Sequence, residues 1–213
     1  MIQICGVNLW LKVLFVCSGN SYRSPVAEAL LRKYAPAGVE ADSAGTSAIS
    51  WISENARRFL ERESAAKYLK KHPEGLEVKR LGDYDLIVVM EMAHKYAVLM
   101  QCPECVGKVE VWNISDPYDT SAEYEEQVYQ QIKTKVKEIE NKFERLASRL
   151  LQVKKSQGNS DFGQKLGKGK QPETANRTSC PLVVHYIQRI DELSWRGSLE
   201  AKFFVGQSSS DHF

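Results

Sequence analysis

Apolar runs and amphipathic segments alternate along the first 150 residues of the chain. Short apolar runs bounded by turn residues predict buried strands at 12–16, 39–44, 85–90 and 108–111. Apolar residues at helical spacing predict helices at 25–34, 54–71, 93–100 and 121–150. This alternation favours a three-layer α/β/α fold, in which helices cover both faces of a parallel sheet.

The pattern changes after residue 150. Positions 151–179 are rich in Lys, Gly, Gln, Ser, Thr and Asn, which predicts a flexible polar linker. The linker would join a domain at 1–150 to a C-terminal tail at 180–213, which regains apolar residues but too few for a core of its own. We therefore expect the tail either to contact a partner or to be an extension without a selected structure.

Composition narrows the cellular setting. The chain has 213 residues and a formal net charge of +2, which is too small to indicate a nucleic-acid partner. It contains no apolar stretch long enough to cross a bilayer, so we expect no membrane association and a cytoplasmic location. Five cysteines, one of them in a candidate reactive loop, suit a reducing compartment better than a disulfide framework.

The segment CSGNSYRSP at 17–25 directly follows the first predicted strand and opens the first predicted helix. Backbone N–H groups of such a loop converge at a helix N-terminus, where the helix dipole favours an oxyanion. Cys17 lies in that field, so we expect its thiol to ionise and act as a nucleophile. Arg23 offers a planar fork for two phosphate oxygens, and Gly19 and Asn20 permit positive φ. These features predict a phosphate site.

Asp116 is the candidate acid. A cysteinyl-phosphate route needs a proton for the leaving group, which a carboxylic acid opposite the nucleophile supplies. Asp116 follows the apolar segment 109–114 and precedes the long predicted helix, so in a parallel sheet it lies at the same edge as Cys17. An Asp before a proline, here Pro117, is also a common turn starter. Its position after the last strand favours the acid role.

Residues 12–150 resemble the low-molecular-weight protein tyrosine phosphatases. Four motifs carry the resemblance in the order VLFVCSGNSYRSPVAEAL at 13–30, DSAGT at 42–46, YDLIVVM at 84–90 and DPY at 116–118. The resemblance implies a four-stranded parallel sheet of order 2-1-3-4 with the phosphate-binding loop between the first strand and the first helix. It also implies no metal or cofactor, and hydrolysis of protein phosphotyrosine or a small aryl phosphate through a cysteinyl phosphate.

The resemblance extends to single residues. Cys17 resembles the nucleophile, Arg23 the clamp that stabilises the transition state, and Asp116 the acid that then activates water. Ser24 resembles the hydroxyl that stabilises the thiolate as a leaving group. Other residues resemble the positions of the loop that bind phosphate: Ser18, Gly19, Asn20, Ser21, Tyr22 and Ser24. Asn20 and Ser43 resemble residues that support the loop backbone. Trp51 and Tyr118 resemble the aromatic walls of the substrate cleft.

Three departures from the family pattern limit this resemblance. Tyr22 stands where many members carry a second cysteine, so a protective disulfide within the loop is not implied. The segment 50–55 lacks the usual glycine and aspartate pattern, which affects the expected cleft wall. Asp119 replaces a second tyrosine that eukaryotic members carry.

Ser21 keeps a second substrate open. Tyrosine-specific members usually carry a branched apolar residue at this position, whereas members specific for arginine phosphate carry Thr. A small hydroxyl widens the cleft and adds a polar partner, so protein-arginine phosphatase activity is the alternative prediction.

Cys102 and Cys105 suggest two further alternatives. Arsenate reductases share this fold and loop, but they need two resolving cysteines at a wider spacing than this pair has. The pair could also form half of a zinc site, although neither Cys5 nor Cys180 nor any of the four scattered histidines completes it. We expect a pair of thiols in a surface loop instead.

An idle phosphate-binding module, recruited through the tail, is the remaining alternative. The presence of Cys17, Arg23 and Asp116 together argues for activity. Turnover of a generic aryl phosphate distinguishes an active phosphatase from an idle binding module.

Overall fold

The structure is a computed structural model that describes residues 3–4, 7–8, 11–35 and 38–156. The strands are β1 (Gln3–Ile4), β2 (Val7–Asn8), β3 (Leu11–Cys17), β4 (Val39–Gly45), β5 (Leu86–Val89) and β6 (Val109–Val111). The α-helices are α1 (Arg23–Tyr34), α2 (Glu54–Arg62), α3 (Met92–Gln101) and α4 (Ala122–Ser156). The predicted tail and most of the predicted linker lie outside the described residues.

Strands β3 to β6 form one parallel sheet in the order β4-β3-β5-β6. Counted along the chain, this is the predicted order 2-1-3-4, so the fold prediction is confirmed. The short strands β1 and β2 pair antiparallel as a separate sheet, which the sequence pattern did not predict. Two-residue strands are too short to show a periodicity. In the parallel sheet all carboxyl ends meet at one edge, and so do the loops that follow them.

The central strand β3 is covered on both faces. Successive side chains of a strand point to opposite faces, so Leu14 and Val16 share one face while Val13 and Phe15 share the other. The first face packs in a cluster with Val98 of α3. Helix α1 contacts β3, β4 and α4, and it is buried from Arg23 through Leu31. Burial of β3 on both faces explains its uninterrupted apolar run.

Two predicted helices end elsewhere. The helix predicted at 54–71 ends at Arg62, because Ser64 takes a left-handed backbone with φ 51°. Hydrogen bonds from Ser64 N–H to Glu61 and from Ala65 N–H to Leu60 close the helix end. At the other end of the domain, α4 continues past the predicted 150 to Ser156. The extra residues include neither Gly nor Pro, so nothing in them stops a helix.

Cys102 and Cys105 are buried and joined by a disulfide, so the prediction of a surface pair of thiols is wrong. Their side chains belong to the same core cluster as Leu14 and Val89. The sequence pattern around them is polar enough to suggest a loop, but both cysteines are buried in a cluster that includes Val98 of α3. In the part of the chain that the structure describes, no helix is both long and apolar enough to cross a bilayer.

Candidate active site

Cys17 is the last residue of β3 and is only 2% exposed. The loop that follows, residues 18–22, leads straight into α1. Cys17 pairs in register with Gly45 at the end of β4. A Cβ atom at Gly45 would lie 2.7 Å from the carbonyl oxygen of Ser18 and 2.9 Å from the backbone nitrogen of Asn20. Glycine therefore allows β4 to approach the loop closely enough to support it.

Asn20 holds the loop from inside. Its backbone has φ 51°, and its side chain is fully buried. The amide nitrogen donates to Ser24 Oγ at 2.9 Å and to Ser43 Oγ at 2.8 Å, while the amide oxygen accepts from the Glu74 backbone N–H at 2.8 Å. The structure thus brings together Asn20 and Ser43, the two predicted supports. Three hydrogen bonds from one side chain stabilise the left-handed loop conformation.

Ser24 contacts the sulfur. Its Oγ lies 3.0 Å from Cys17 Sγ. Because the Asn20 amide donates to Ser24 Oγ, the serine hydrogen is directed either to the sulfur or to the Ala44 carbonyl oxygen, which is farther away at 3.3 Å. The Ser24 hydroxyl is therefore placed to donate a hydrogen bond to the sulfur.

A buried acid sets the direction of these bonds. The Ser43 hydroxyl donates to Glu28 Oε2 at 2.5 Å, so Ser43 accepts from Asn20. Glu28 is only 1% exposed, and its second oxygen pairs with Arg32 at 2.8 Å. Burial raises the pKa of Glu28, whereas its contacts with Ser43, Lys70 and Arg32 lower it. Sequence reasoning missed Glu28, although a glutamate within the apolar stretch VAEALL was a signal.

Arg23 forms hydrogen bonds with residues that follow strands β5 and β6. The residue is 2% exposed, and its Nη1 donates to Glu91 Oε2 at 2.7 Å and to the Ile114 carbonyl oxygen at 3.0 Å. Its Nη2 forms an ion pair with Asp116 Oδ2 and lies 3.3 Å from Ser18 Oγ. Asp116 is therefore at the same edge of the sheet as the loop that begins at Cys17, as predicted from its position after the last strand.

Two polar residues of this site were not predicted. Glu91 follows the buried Met90, which comes directly after β5, and His94 lies in the first turn of α3. The Glu91 backbone N–H donates to His94 Nδ1 at 3.0 Å, and His94 Nε2 lies 3.0 Å from Ser18 Oγ. Burial lowers the pKa of His94, and the Arg23 guanidinium lowers it further. A charged residue at the carboxyl end of a neighbouring strand was the available signal for Glu91.

Tyr22 fastens the loop to two helices. Its hydroxyl donates to the Glu125 carbonyl oxygen at 3.1 Å, and its ring lies edge-on to Phe59 with a centroid distance of 6.0 Å. Burial raises the pKa of Tyr22, with Glu125 as the next contributor. The residue that replaces the family's second cysteine therefore packs between α2 and α4.

The predicted aromatic walls are both exposed. Trp51 is 65% exposed and Tyr118 is 88% exposed. The segment 46–53, which carries Trp51, is hydrogen-bonded to the loop, for example from Ile49 N–H to the Gly19 carbonyl oxygen at 3.0 Å. The Tyr118 N–H donates to Asp116 Oδ1 at 3.2 Å. Both rings are thus carried by segments attached to the candidate site.

The disulfide lies away from this site. Helix α3 begins beside the carboxyl edge of the sheet and runs about 15 Å before it reaches Cys102. The pair therefore lies near the amino ends of the strands, whereas Cys17 lies at their carboxyl ends. In the described part of the chain, no group of three or more His, Cys, Asp or Glu side chains is arranged to hold a metal ion. Cys5 and Cys180 are outside that part.

The four-stranded parallel sheet of order 2-1-3-4, with Cys17 at the end of its first strand, is the fold that the resemblance to the low-molecular-weight phosphatases implied. The family model described as low molecular weight phosphotyrosine protein phosphatase matches residues 12–151. The chain belongs to this family, whose members are hydrolases.

Named relatives and solved structures agree with this membership. Etp of Escherichia coli K12, a low molecular weight protein-tyrosine-phosphatase, is 35% identical over 125 residues, which cover 55% of this chain and 84% of Etp. The structure of the tyrosine phosphatase Wzb from Escherichia coli K30 in complex with sulphate has a TM-score of 0.56 and 29% identity, and covers 63% of this chain and 99% of Wzb. The YwlE arginine phosphatase from Geobacillus stearothermophilus has a TM-score of 0.54 and 24% identity, and the match covers 71% of this chain and 99% of YwlE. At this identity the likeness shows a common fold alone.

Proposed function

We propose that this chain hydrolyses phosphotyrosine in proteins through a cysteinyl-phosphate intermediate, and that its phosphatase domain occupies residues 1–150. The observation that carries the proposal is the 3.0 Å contact of Cys17 Sγ with Ser24 Oγ, next to a buried Arg23 that pairs with Asp116. The names of the relatives Etp and Wzb support a protein phosphotyrosine substrate.

In the first step the Cys17 thiolate attacks phosphorus. The sulfur–phosphorus bond forms while the ester bond to the phenolic oxygen breaks, and protonated Asp116 gives its proton to that leaving oxygen. The Arg23 guanidinium stabilises the charge on the equatorial oxygens, together with the backbone N–H groups of Ser18, Gly19, Asn20, Ser21, Tyr22 and Ser24.

The ion pair between Arg23 and Asp116 supports a mechanism in which the substrate displaces Asp116 from Arg23. A phosphoryl dianion carries the same sign of charge as the Asp116 carboxylate and competes with it for Arg23 Nη2. Once displaced, the Asp116 carboxyl group is free of Arg23 and lies beside the bound substrate, where it can reach the leaving oxygen.

In the second step Asp116 acts as a base. It removes a proton from water, the water oxygen attacks phosphorus, and the sulfur–phosphorus bond breaks to release inorganic phosphate and the Cys17 thiolate. Ser24 stabilises the departing thiolate with a hydrogen bond. Asn20 and Ser43 hold the loop in place during both steps, while Trp51 and Tyr118 border the aromatic ring of the substrate.

Turnover of para-nitrophenyl phosphate tests the proposal. We expect Cys17→Ser to abolish turnover, and Asp116→Ala to lower kcat by a factor of about 10² to 10⁴ without weakening phosphate binding. The Asp116 variant should also retain phosphorylated proteins from a lysate long enough to identify them. A folded protein that binds inorganic phosphate but turns over no aryl phosphate would instead be the idle binding module.

Phosphoarginine in proteins is the alternative substrate. The partly exposed Ser21 side chain favours it, because a small hydroxyl beside the loop admits a polar substrate. Comparing peptides that carry phosphotyrosine or phosphoarginine decides between them. Replacing Ser21 by Ile should increase the preference for the aromatic ester.

A further inference from the structure

The Ser18 hydroxyl has two hydrogen-bond donors around it. His94 Nε2 lies 3.0 Å from Ser18 Oγ, and Arg23 Nη2 lies 3.3 Å from the same oxygen. Ser18 follows the candidate nucleophile directly, and it is partly exposed whereas Cys17 is buried. Its side chain is therefore accessible from solvent at the position next to the buried cysteine.

The direction of the His94 contact follows from the other ring nitrogen. The Glu91 backbone N–H can only donate, so His94 Nδ1, 3.0 Å away, carries no hydrogen. In a neutral imidazole the hydrogen is then on Nε2, which donates to Ser18 Oγ. His94 is 3% exposed and near the Arg23 guanidinium, and both circumstances disfavour a second proton on the ring.

A serine hydroxyl has two lone pairs and one hydrogen. Since His94 and Arg23 donate to Ser18 Oγ, both lone pairs are occupied and only the hydrogen is available to a ligand. Arg23 Nη2, which contacts Ser18, also pairs with Asp116, so Ser18 Oγ and the candidate acid contact the same guanidinium nitrogen.

Building on the proposed function, we propose that Ser18 is a binding residue whose hydroxyl hydrogen is donated to an oxygen of the bound phosphoester, and that His94 is the positioning residue that keeps Ser18 a donor. The backbone N–H groups of the loop bind phosphate in any sequence. The Ser18 side chain adds one donor that depends on His94, a residue 76 positions away in the chain.

This donor also bears on the substrate class. The bridging oxygen and the terminal oxygens of an aryl phosphate have lone pairs that accept a hydrogen bond. The bridging nitrogen of phosphoarginine carries a hydrogen, which opposes the hydrogen of Ser18. The Ser18 hydrogen therefore favours oxygen esters, which include phosphotyrosine, over phosphoarginine where it is donated to the bridging atom, since the terminal oxygens of both substrates accept a hydrogen bond alike.

Four variants and the dissociation constant of inorganic phosphate, measured by calorimetry, test the proposal. We expect Ser18→Ala to weaken phosphate binding about tenfold or more, because it removes a hydrogen bond to a charged ligand. His94→Asn keeps an oxygen near the Nδ1 position but does not reach Ser18, so it should cause most of the same loss. His94→Gln keeps an N–H donor near the Nε2 position and should restore binding. The double variant Ser18→Ala/His94→Asn should bind no more weakly than Ser18→Ala alone.

His72→Asn is the matched control, since His72 is exposed and lies outside the site. It should leave phosphate binding unchanged. Unchanged binding by Ser18→Ala would overturn the role of Ser18. A further loss in the double variant would overturn the role of His94, and so would a His94→Gln variant that binds as weakly as His94→Asn.

A second measurement addresses substrate class. Ser18→Ala should lower kcat/KM for a phosphotyrosine peptide about tenfold more than for a phosphoarginine peptide, and equal losses would contradict the preference for oxygen esters. Phosphate binding can be measured without turnover, so a failure of the proposed function can be distinguished from a failure of the role proposed for Ser18. If no phosphoester is hydrolysed, the proposed function fails, while the phosphate affinities still decide the role of Ser18.

Discussion

Arg23 Nη1 donates a 2.7 Å hydrogen bond to Glu91 Oε2, which connects the first residue of α1 to the residue that precedes α3. The guanidinium is buried, whereas the Glu91 side chain is 39% exposed. A cation of the phosphate site is thus partly neutralised by a carboxylate that has no assigned contact with substrate. The strength of phosphate binding then depends on the charge of Glu91 as well as on Arg23.

Replacing Glu91 by Gln should separate charge from position. Gln still accepts the hydrogen bond from Arg23, and the Ile114 carbonyl oxygen holds the same nitrogen. We expect inorganic phosphate to bind a few-fold more tightly, because one competing negative charge is gone. The free energy of unfolding without phosphate should fall by about 1 kcal/mol, a modest value because Glu91 is partly exposed. Calorimetry and urea unfolding check both effects.

Glu104→Gln is the control for this variant, since Glu104 is exposed and far along the chain from the loop. It should change neither quantity. Weaker phosphate binding in Glu91→Gln would mean that the carboxylate orients Arg23 more than it opposes the ligand.

Gly45→Ala should disrupt the loop. The added methyl would lie 2.7 Å from the Ser18 carbonyl oxygen, and backbone atoms cannot move aside as a flexible side chain can. We expect a loss of about 1 to 3 kcal/mol in the free energy of unfolding and a strong loss of phosphatase activity. Gly82→Ala is the matched substitution, because nothing lies within 4 Å of its Cβ position. Equal stability of the two variants in thermal unfolding would refute the close approach.

We expect Asn20→Ala to lower the free energy of unfolding by more than the loss of the left-handed backbone preference of asparagine explains. It removes three hydrogen bonds, two of them buried, and places alanine at φ 51°. Asn113 has φ 56° but is exposed, so Asn113→Ala loses the backbone preference alone, about 1 kcal/mol. We expect Asn20→Ala to be less stable than this control by about 2 kcal/mol or more. Chemical denaturation of both variants measures the difference, and similar values would contradict the supporting role of Asn20.

The pH dependence of stability should reveal His94. Burial, followed by the nearby Arg23 guanidinium, lowers its pKa below the ordinary value of about 6.5, so the unfolded chain binds this proton more readily than the folded one. The stability due to neutral His94 is therefore complete above about pH 6.5 and is lost as the pH falls below it.

Comparing the wild type with His94→Asn between pH 7.5 and 5 isolates this contribution. The buried Glu28 also titrates, and its raised pKa acts in the opposite direction, but it is present in both proteins. We expect a steeper loss of stability on acidification in the wild type. Parallel curves would show that His94 is not held neutral by the fold.

The residues of the site that could be predicted from the sequence are mainly those close to one another along the chain. Cys17, Arg23 and Ser24 belong to one short loop, so local spacing together with strand and helix patterns was enough to predict their grouping. Asp116 was predicted from topology, because parallel strands place their carboxyl ends at one edge. The inward-turned disulfide of Cys102 and Cys105 was not predicted, because burial of a polar-looking turn depends on what packs over it.

The sequence by itself determined the layered fold and the elements that carry the predicted site, because hydrophobic periodicity and loop composition are local properties. The strand order was implied by the resemblance to the family and not by these patterns. The tertiary structure decided which hydrogen bonds surround the phosphate loop. Glu28, Glu91 and His94 contact the loop or its supports through side-chain geometry that no local pattern encodes. A hydrogen bond requires two groups at about 3 Å with a suitable direction, and only packing of the helices on the sheet sets that distance.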